Sequence, residues 1–367
     1  MTLRDELAAK LQRIAAYLDA KGLHGIFLTR QSNFSWITCG AENRVVTTSD
    51  AGAATAFAGR ERLCVIANNI EAPRLRSEEL AELGIDVLEY PWYQDSDRDA
   101  IIADLVAGKS AASDVRIGGA GRLERDFEEL KYVLSETEIE RYRWLGRNCS
   151  LVLEKVCTEV KVDQSETDIA ARLAFEAMKM QITPSVVLVA ADDRTLHYRH
   201  PLPTQKKVKE HVLVAFGGRR WGLVASLTRL AHLGRPSPEL LRKHRAVCSV
   251  DAALILNSLP GAAAGEVLGK GLQAYQAAQF PDEWKLHHQG GPTGYEGRYY
   301  RVIPGDERRF LAGQAIAWNP SIAGTKSEDT ILCGGDTPEI LTPCHTWPTT
   351  QYEHEGRALK RPDMYVS

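Results

Sequence analysis

The chain has 367 residues, 44% of them hydrophobic and 25% charged, with a formal net charge of −3. That length has room for two to three domains, and so small a net charge leaves no electrostatic footprint for nucleic acid or a membrane surface. No apolar run approaches the ~18 residues of a membrane span. The charged N-terminus lacks a signal-peptide core, and seven dispersed cysteines read as reduced thiols rather than a disulfide framework, so a cytoplasmic location is expected.

Residues 2–22 are predicted to form an amphipathic helix, with Thr2 as N-cap, Leu3, Leu7, Leu11, Ile14 and Leu18 at helical spacing, and Gly22 as C-cap. Strands are predicted at 25–29, 62–67, 87–90 and 115–118, with a helix at 77–83. Residues 33–38, including Trp36, read as a loop and strand near the domain surface. Strands alternating with helices imply an α/β domain, placed at about 1–130. Ser135 and Glu138 form a capping box for a long helix to about residue 160. Another helix follows at 165–180, then a strand at 185–190. The segment VLVAFGGRRWGLVASLTRLAHLG (212–234) reads as a glycine-broken hairpin. Two more helices are expected at about 237–258 and 264–279, then strands from about 309. The polar tail 348–367 is expected to be loosely held.

The hairpin resembles that of the creatinase/prolidase/aminopeptidase P family, in which an aspartate on each arm binds a pair of divalent metals and Thr-Arg follows the second. Here Leu227-Thr228-Arg229 keeps the ending, but Ala215 and Ser226 stand at the two aspartate positions. The loop His287-His288-Gln289-Gly290-Gly291 matches the family's metal histidine at His288 and puts Tyr295 where a second histidine falls. Asn319, in Trp318-Asn319-Pro320, stands at one metal glutamate. Glu328, in Ser327-Glu328-Asp329-Thr330, keeps the other, although Asp329 is an equal candidate from residue type alone. Leu196-His197-Tyr198 matches the family's proton-shuttle motif. The resemblance covers nearly the whole chain.

The resemblance implies an α/β N-terminal domain followed by an α+β pita-bread catalytic domain at about 131–347, assembled as a homodimer. Of five metal-ligand positions only His288 and Glu328 survive, while a catalytic zinc site usually needs three protein ligands and a two-metal site needs bridging carboxylates. No metal and no cofactor are therefore expected. The implied activity is a metal-independent, creatinase-like enzyme, a hydrolase or lyase, acting on a C–N bond of a small, polar, amino-acid-like molecule by acid–base catalysis. His197, His288 and Glu328 are the expected catalytic groups. Ser226, Asn319, Tyr295, Arg220 and Trp36 are the expected substrate-binding groups, with Trp36 reaching a neighbouring subunit's pocket. Two other readings are a divergent Xaa-Pro peptidase with a reduced metal site and a non-catalytic, peptidase-like binding module. The partner expected is a small molecule, with no nucleic acid and no membrane.

Overall fold

The computed structural model describes residues 2–367, and the chain divides into two compact units. One comprises Met1–Lys131, Ser135–Glu138 and Trp221–Leu223, the other Tyr132–Leu134, Ile139–Arg220 and Val224–Ser367.

In the first unit the helix Leu3–Lys21 starts at a full capping box. The Thr2 hydroxyl accepts the Asp5 N–H, and the Asp5 carboxylate accepts the Thr2 N–H. Gly22 closes the helix with φ +63°, a left-handed conformation that glycine adopts without penalty. The sheet has six strands in the order Asp86–Tyr90, Leu63–Asn68, Ala51–Gly59, Gly25–Arg30, Ala111–Ser113, Gly121–Arg122. Phe27, Phe57, Cys64, Ile66, Ile102 and Leu105 pack its core.

Four sequence expectations change here. Residues 33–37 lie within a short buried helix, Gln31–Ile37, and Thr38 caps it, instead of forming a strand. The Asn33 amide donates to Asp114, and its oxygen accepts from Lys131. Such buried tertiary contacts override the strand preference of Phe34, Trp36 and Ile37. The pairing strand is Ala111–Ser113, not 115–118. In place of the helix expected at 77–83, helical turns cover Ala72–Arg74 and Leu75–Glu79. Strand Ala51–Gly59 and helix Asp95–Val106 were not expected. The strand is rich in alanine and glycine, so it carries almost no alternation of polarity, yet it sits inside the sheet.

The second unit has two four-stranded sheets. One runs in the order Tyr365–Val366, Leu223–His232, His211–Arg220, Thr183–Ala191, and the other Gly290–Thr293, Gln314–Trp318, Asp329–Cys333, Glu339–Ile340. Helices Glu136–Thr158, Glu166–Lys179, Pro238–Asn257 and Ala264–Ala277 accompany them. The hairpin turns through Trp221 and Gly222, with φ +51° and +78°, the left-handed pair of a two-residue turn that matches the strand twist. This is the pita-bread arrangement. The tail is not loose. Thr349–His354 and Arg357–Pro362 pair as a hairpin, and Tyr365–Val366 adds a parallel strand beside Leu223–His232. Trp347, Arg361 and Met364 are buried. The tail's polarity misleads because Arg361 is polar and buried at once, held by Asp251 and Asp329. Among the described residues, no helix is long and apolar enough to cross a membrane.

Candidate functional site

A cavity of about 510 Å³ opens within the second unit, lined among others by Ala215, Ser226, His288, Arg298, Asn319 and Glu328. The facing arms of the hairpin bring Ala215 and Ser226 to it. Ser226 is fixed by its backbone: its N–H donates to the Thr330 hydroxyl, which donates back to the Ser226 carbonyl. Its side-chain hydroxyl is left without a hydrogen bond. The strand Gly290–Thr293 positions His288, and here glycine is required. Gly290 has φ +120°, and a Cβ on it would lie 2.2 Å from the Ala317 carbonyl oxygen. Gly291, at φ +154°, would meet the Tyr300 carbonyl at the same distance. The two strands approach so closely that no side chain fits between them.

Glu328 is buried, and both of its oxygens are taken by cations. Lys326 Nζ lies 2.7 Å from Oε2, and Arg298 Nη2 lies 3.3 Å from Oε1. The Thr228 hydroxyl also donates to Oε2 at 2.7 Å. Burial disfavours the carboxylate, but Lys326 and Arg298 outweigh it and hold the group below its ordinary range. Asp329, the alternative candidate, turns the other way into a buried network with Arg229 and Arg361. Successive residues of an extended strand face opposite sides, which separates the two carboxylates.

Arg298 also donates to Asn319 Oδ1 at 3.0 Å. A guanidinium can only donate, so the opposite end of the Asn319 amide is its NH₂. That NH₂ donates to the His288 carbonyl at 3.0 Å and to His287 Nε2 at 3.3 Å. His287 Nε2 is thus an acceptor, and Nδ1–H donates to the Ser321 hydroxyl at 2.9 Å. His200 Nε2 stands 3.2 Å from the same His287 nitrogen and must carry the proton between them. One ligand-capable atom from each of His200, His287 and His288 lies within 4.8 Å of the others. His288 Nδ1 is buried without a hydrogen-bond partner. Burial, reinforced by Lys326 and the neighbouring histidines, pushes His287 down to about 2. Burial, then Arg298 and Arg301, pushes His288 down to about 4. His200 is lowered as well, by burial and then Lys326. All three imidazoles are neutral at pH 7, beside one carboxylate and two fixed cations.

The family's metal pair does not fit this donor set. Ala215 offers no ligand atom, Asn319 is engaged by Arg298 and the histidine segment, and Lys326 and Arg298 occupy the Glu328 oxygens that a metal would need.

The structure therefore brings Ser226, His288, Asn319 and Glu328 together, and it leaves four expected site residues elsewhere. His197 is exposed on the short helix Arg194–His197, with Nδ1 bonded to the Asp193 carbonyl, and does not line the cavity. His200, three residues on, lines it instead. Tyr295 is buried, its N–H bonded to the Tyr299 hydroxyl, and is not a lining residue. Arg220 stacks on Trp144, 4.2 Å from the ring centre, and donates to the Met180 carbonyl and Gln181. Trp36 is 1% exposed and packs edge-on against Phe127 in its own unit, so it presents no surface to a substrate or a second subunit. Sequence reasoning missed His200, Arg298 and Lys326. Lys326 was findable, because a residue two before Glu328 on an extended segment shares its face. Nothing in the spacing marks Arg298.

Solved structures share the fold. The prolidase from Pyrococcus horikoshii OT3 superposes with a TM-score of 0.77 at 17% identity, covering 92% of this chain and 98% of that one. The X-Pro aminopeptidase from Thermotoga maritima MSB8 gives 0.76 at 14% identity over 97% and 99%. Dipeptidase PepE from Mycobacterium ulcerans gives 0.75 at 17% identity over 93% and 96%. No curated protein matches the chain in sequence. The model of metallopeptidase family M24 matches residues 140–335, a span that contains the hairpin, the His288 loop, Asn319 and Glu328, and the chain belongs to that family.

Proposed function

We propose that this chain is a hydrolase that works without the metal pair of its family, cleaving a C–N bond in a small, amino-acid-like substrate that carries a carboxylate or a similar anionic group. One observation carries this reading: Lys326 and Arg298 hold both oxygens of Glu328. The charged groups lining the cavity around Glu328 are net positive. Lys326 and Arg298 together outweigh Glu328 by one unit, which favours an anionic substrate group or the negative charge that develops on a carbonyl oxygen under attack.

His288 is the proposed general base. It is neutral at pH 7, and a neutral imidazole keeps one nitrogen lone pair that can take a proton from an attacking water. Asn319 positions it by bonding its carbonyl. The Ser226 hydroxyl, free of internal bonds, is available to orient substrate.

A second reading, a single-metal Xaa-Pro peptidase, draws on the close approach of His200, His287 and His288. Against it, His287 Nε2 already accepts from Asn319 and His200, and Lys326 and Arg301 repel a cation there. Turnover on small amides and amidines bearing a carboxylate, measured after exhaustive chelation, separates the two. The proposed function expects turnover to persist and His288→Ala to lower it by roughly 10²–10⁴, the usual range for acid–base groups. Loss on chelation, restored by a divalent ion, overturns it.

A further inference from the structure

The open end of the same hairpin carries a second histidine pair, outside the cavity described above. His211 begins one arm and His232 ends the other. Their rings stack nearly parallel, at 4°, with centres 5.7 Å apart. Glu210 precedes His211, and one ligand-capable atom from each of the three residues lies within 4.8 Å of the others.

The hydrogen bonds fix both tautomers. His232 Nδ1 lies 3.0 Å from the Gly234 carbonyl, which can only accept. The proton is therefore on Nδ1, and Nε2 is a bare lone pair. His211 Nε2 lies 3.1 Å from the Thr195 hydroxyl, whose single proton is already donated to the Asp192 carbonyl at 2.7 Å. That hydroxyl must accept from His211, so the proton is on Nε2 and Nδ1 is bare. His211 Nδ1 is also buried with no hydrogen-bond partner. Two imidazoles, each held by a donor bond from one nitrogen with the other unprotonated, is the arrangement that outer partners impose on metal-binding histidines. Asp192, at φ +52°, fixes the backbone by accepting the N–H groups of Lys209, Glu210 and His211. Its Oδ1 lies 4.0 Å from His211 Nδ1. In the surrounding cleft Asp193 and Glu239 are paired with Lys206 and Arg242, which leaves Asp192 and Glu210 as the carboxylates beside the two rings.

We propose that Glu210, His211 and His232 form a binding site for one divalent transition-metal ion, Zn²⁺ foremost, that clamps the open end of the hairpin. Two imidazole nitrogens and a carboxylate suit zinc, with the fourth position left to water. Tetrahedral ligands at Zn–N of about 2.0–2.1 Å lie roughly 3.4 Å apart. Glu210 is exposed and its carboxylate is uncommitted, so its side chain can supply the closure.

The test is calorimetric titration of Zn²⁺ into chelator-stripped, full-length protein, with thermal melts alongside. Wild type is expected to bind one equivalent at this site and to melt higher with zinc. His288→Ala, in the other cavity, should keep both properties. His211→Ala should lose the equivalent. Glu210→Ala changes only an exposed side chain and so keeps the fold. It should weaken binding at least tenfold, since loss of even an outer-shell partner costs about 10–100-fold, and should reduce the thermal shift at the same zinc concentration. Wild-type zinc affinity in Glu210→Ala, or no zinc-dependent shift in wild type, overturns the assignment.

Discussion

The ammonium of Lys326 lies 2.7 Å from Glu328 Oε2, and this contact reverses the electrostatics of the inherited site. A carboxylate position that serves metal binding in the family motif is neutralised here from within the chain. Lys326 and Arg298 stand as fixed cations, and the carboxylate becomes their anchor.

A charge-pair test follows. Lys326→Met should destabilise the fold by up to about 3–5 kcal/mol, the cost of leaving one member of a buried pair uncompensated, tempered because Arg298 remains. The double variant Lys326→Met/Glu328→Gln should recover a large part of that loss, because the stranded charge is gone. Denaturant unfolding of wild type, both single variants and the double variant measures the coupling. Simple additivity would show that the two groups do not interact.

His288 should stay neutral well below pH 6.5. Its pKa of about 4 in the folded chain predicts a histidine NMR titration near pH 4, assigned by the resonance missing from His288→Ala. The unfolded chain binds this proton between about pH 6.5 and 4, whereas the folded chain does not. The histidine's contribution to stability is therefore fully present above about pH 6.5 and is lost as the pH falls towards 4. A midpoint near 6.5 would place the ring in water rather than beside Arg298.

The C-terminal segment should be essential to the fold. Asp329 accepts from Arg229 at 3.1 Å and from the Thr342 hydroxyl at 2.7 Å, and Asp251 accepts from Arg361 at 2.6 Å. Arg361→Ala strips the network of one of its two buried guanidiniums, and a cost of roughly 3–5 kcal/mol is expected. Thermal unfolding checks this, and a variant melting within a degree of wild type would contradict it.

Gly290→Ala should distort the site as well as the sheet. The added Cβ meets the Ala317 carbonyl at 2.2 Å, so the strand must move. Overpacking of this kind costs about 1–3 kcal/mol or more, and His288 and Asn319 would move with it. The expected outcome is a lower melting temperature together with a shifted His288 resonance.

Much of this was legible in the sequence, for physical reasons. Helix ends announced themselves through caps, as at Thr2, Gly22 and Ser135, because capping is local chemistry. The hairpin was readable because glycines interrupt two apolar runs, whereas the close approach of Gly290 and Gly291 to the Ala317 and Tyr300 carbonyls appears only in the fold. Ala51–Gly59 was illegible because its small side chains carry no period, although neighbouring strands bury it. His197 drew attention by its motif, while His200 lines the cavity: a three-residue offset in a loop decides which ring faces inward, and no periodicity governs loops. Lys326 was within reach through its spacing to Glu328, but nothing in the sequence spacing marks Arg298, whose meaning comes only from its contact with Glu328.

The most direct measurement is an anomalous-scattering map from crystals of the full chain soaked in Mn²⁺ or Co²⁺. The account predicts no ion among Ser226, Asn319 and Glu328, with Lys326 Nζ still on Glu328. A metal peak bonded to Glu328 and His288, with Lys326 displaced, would contradict it.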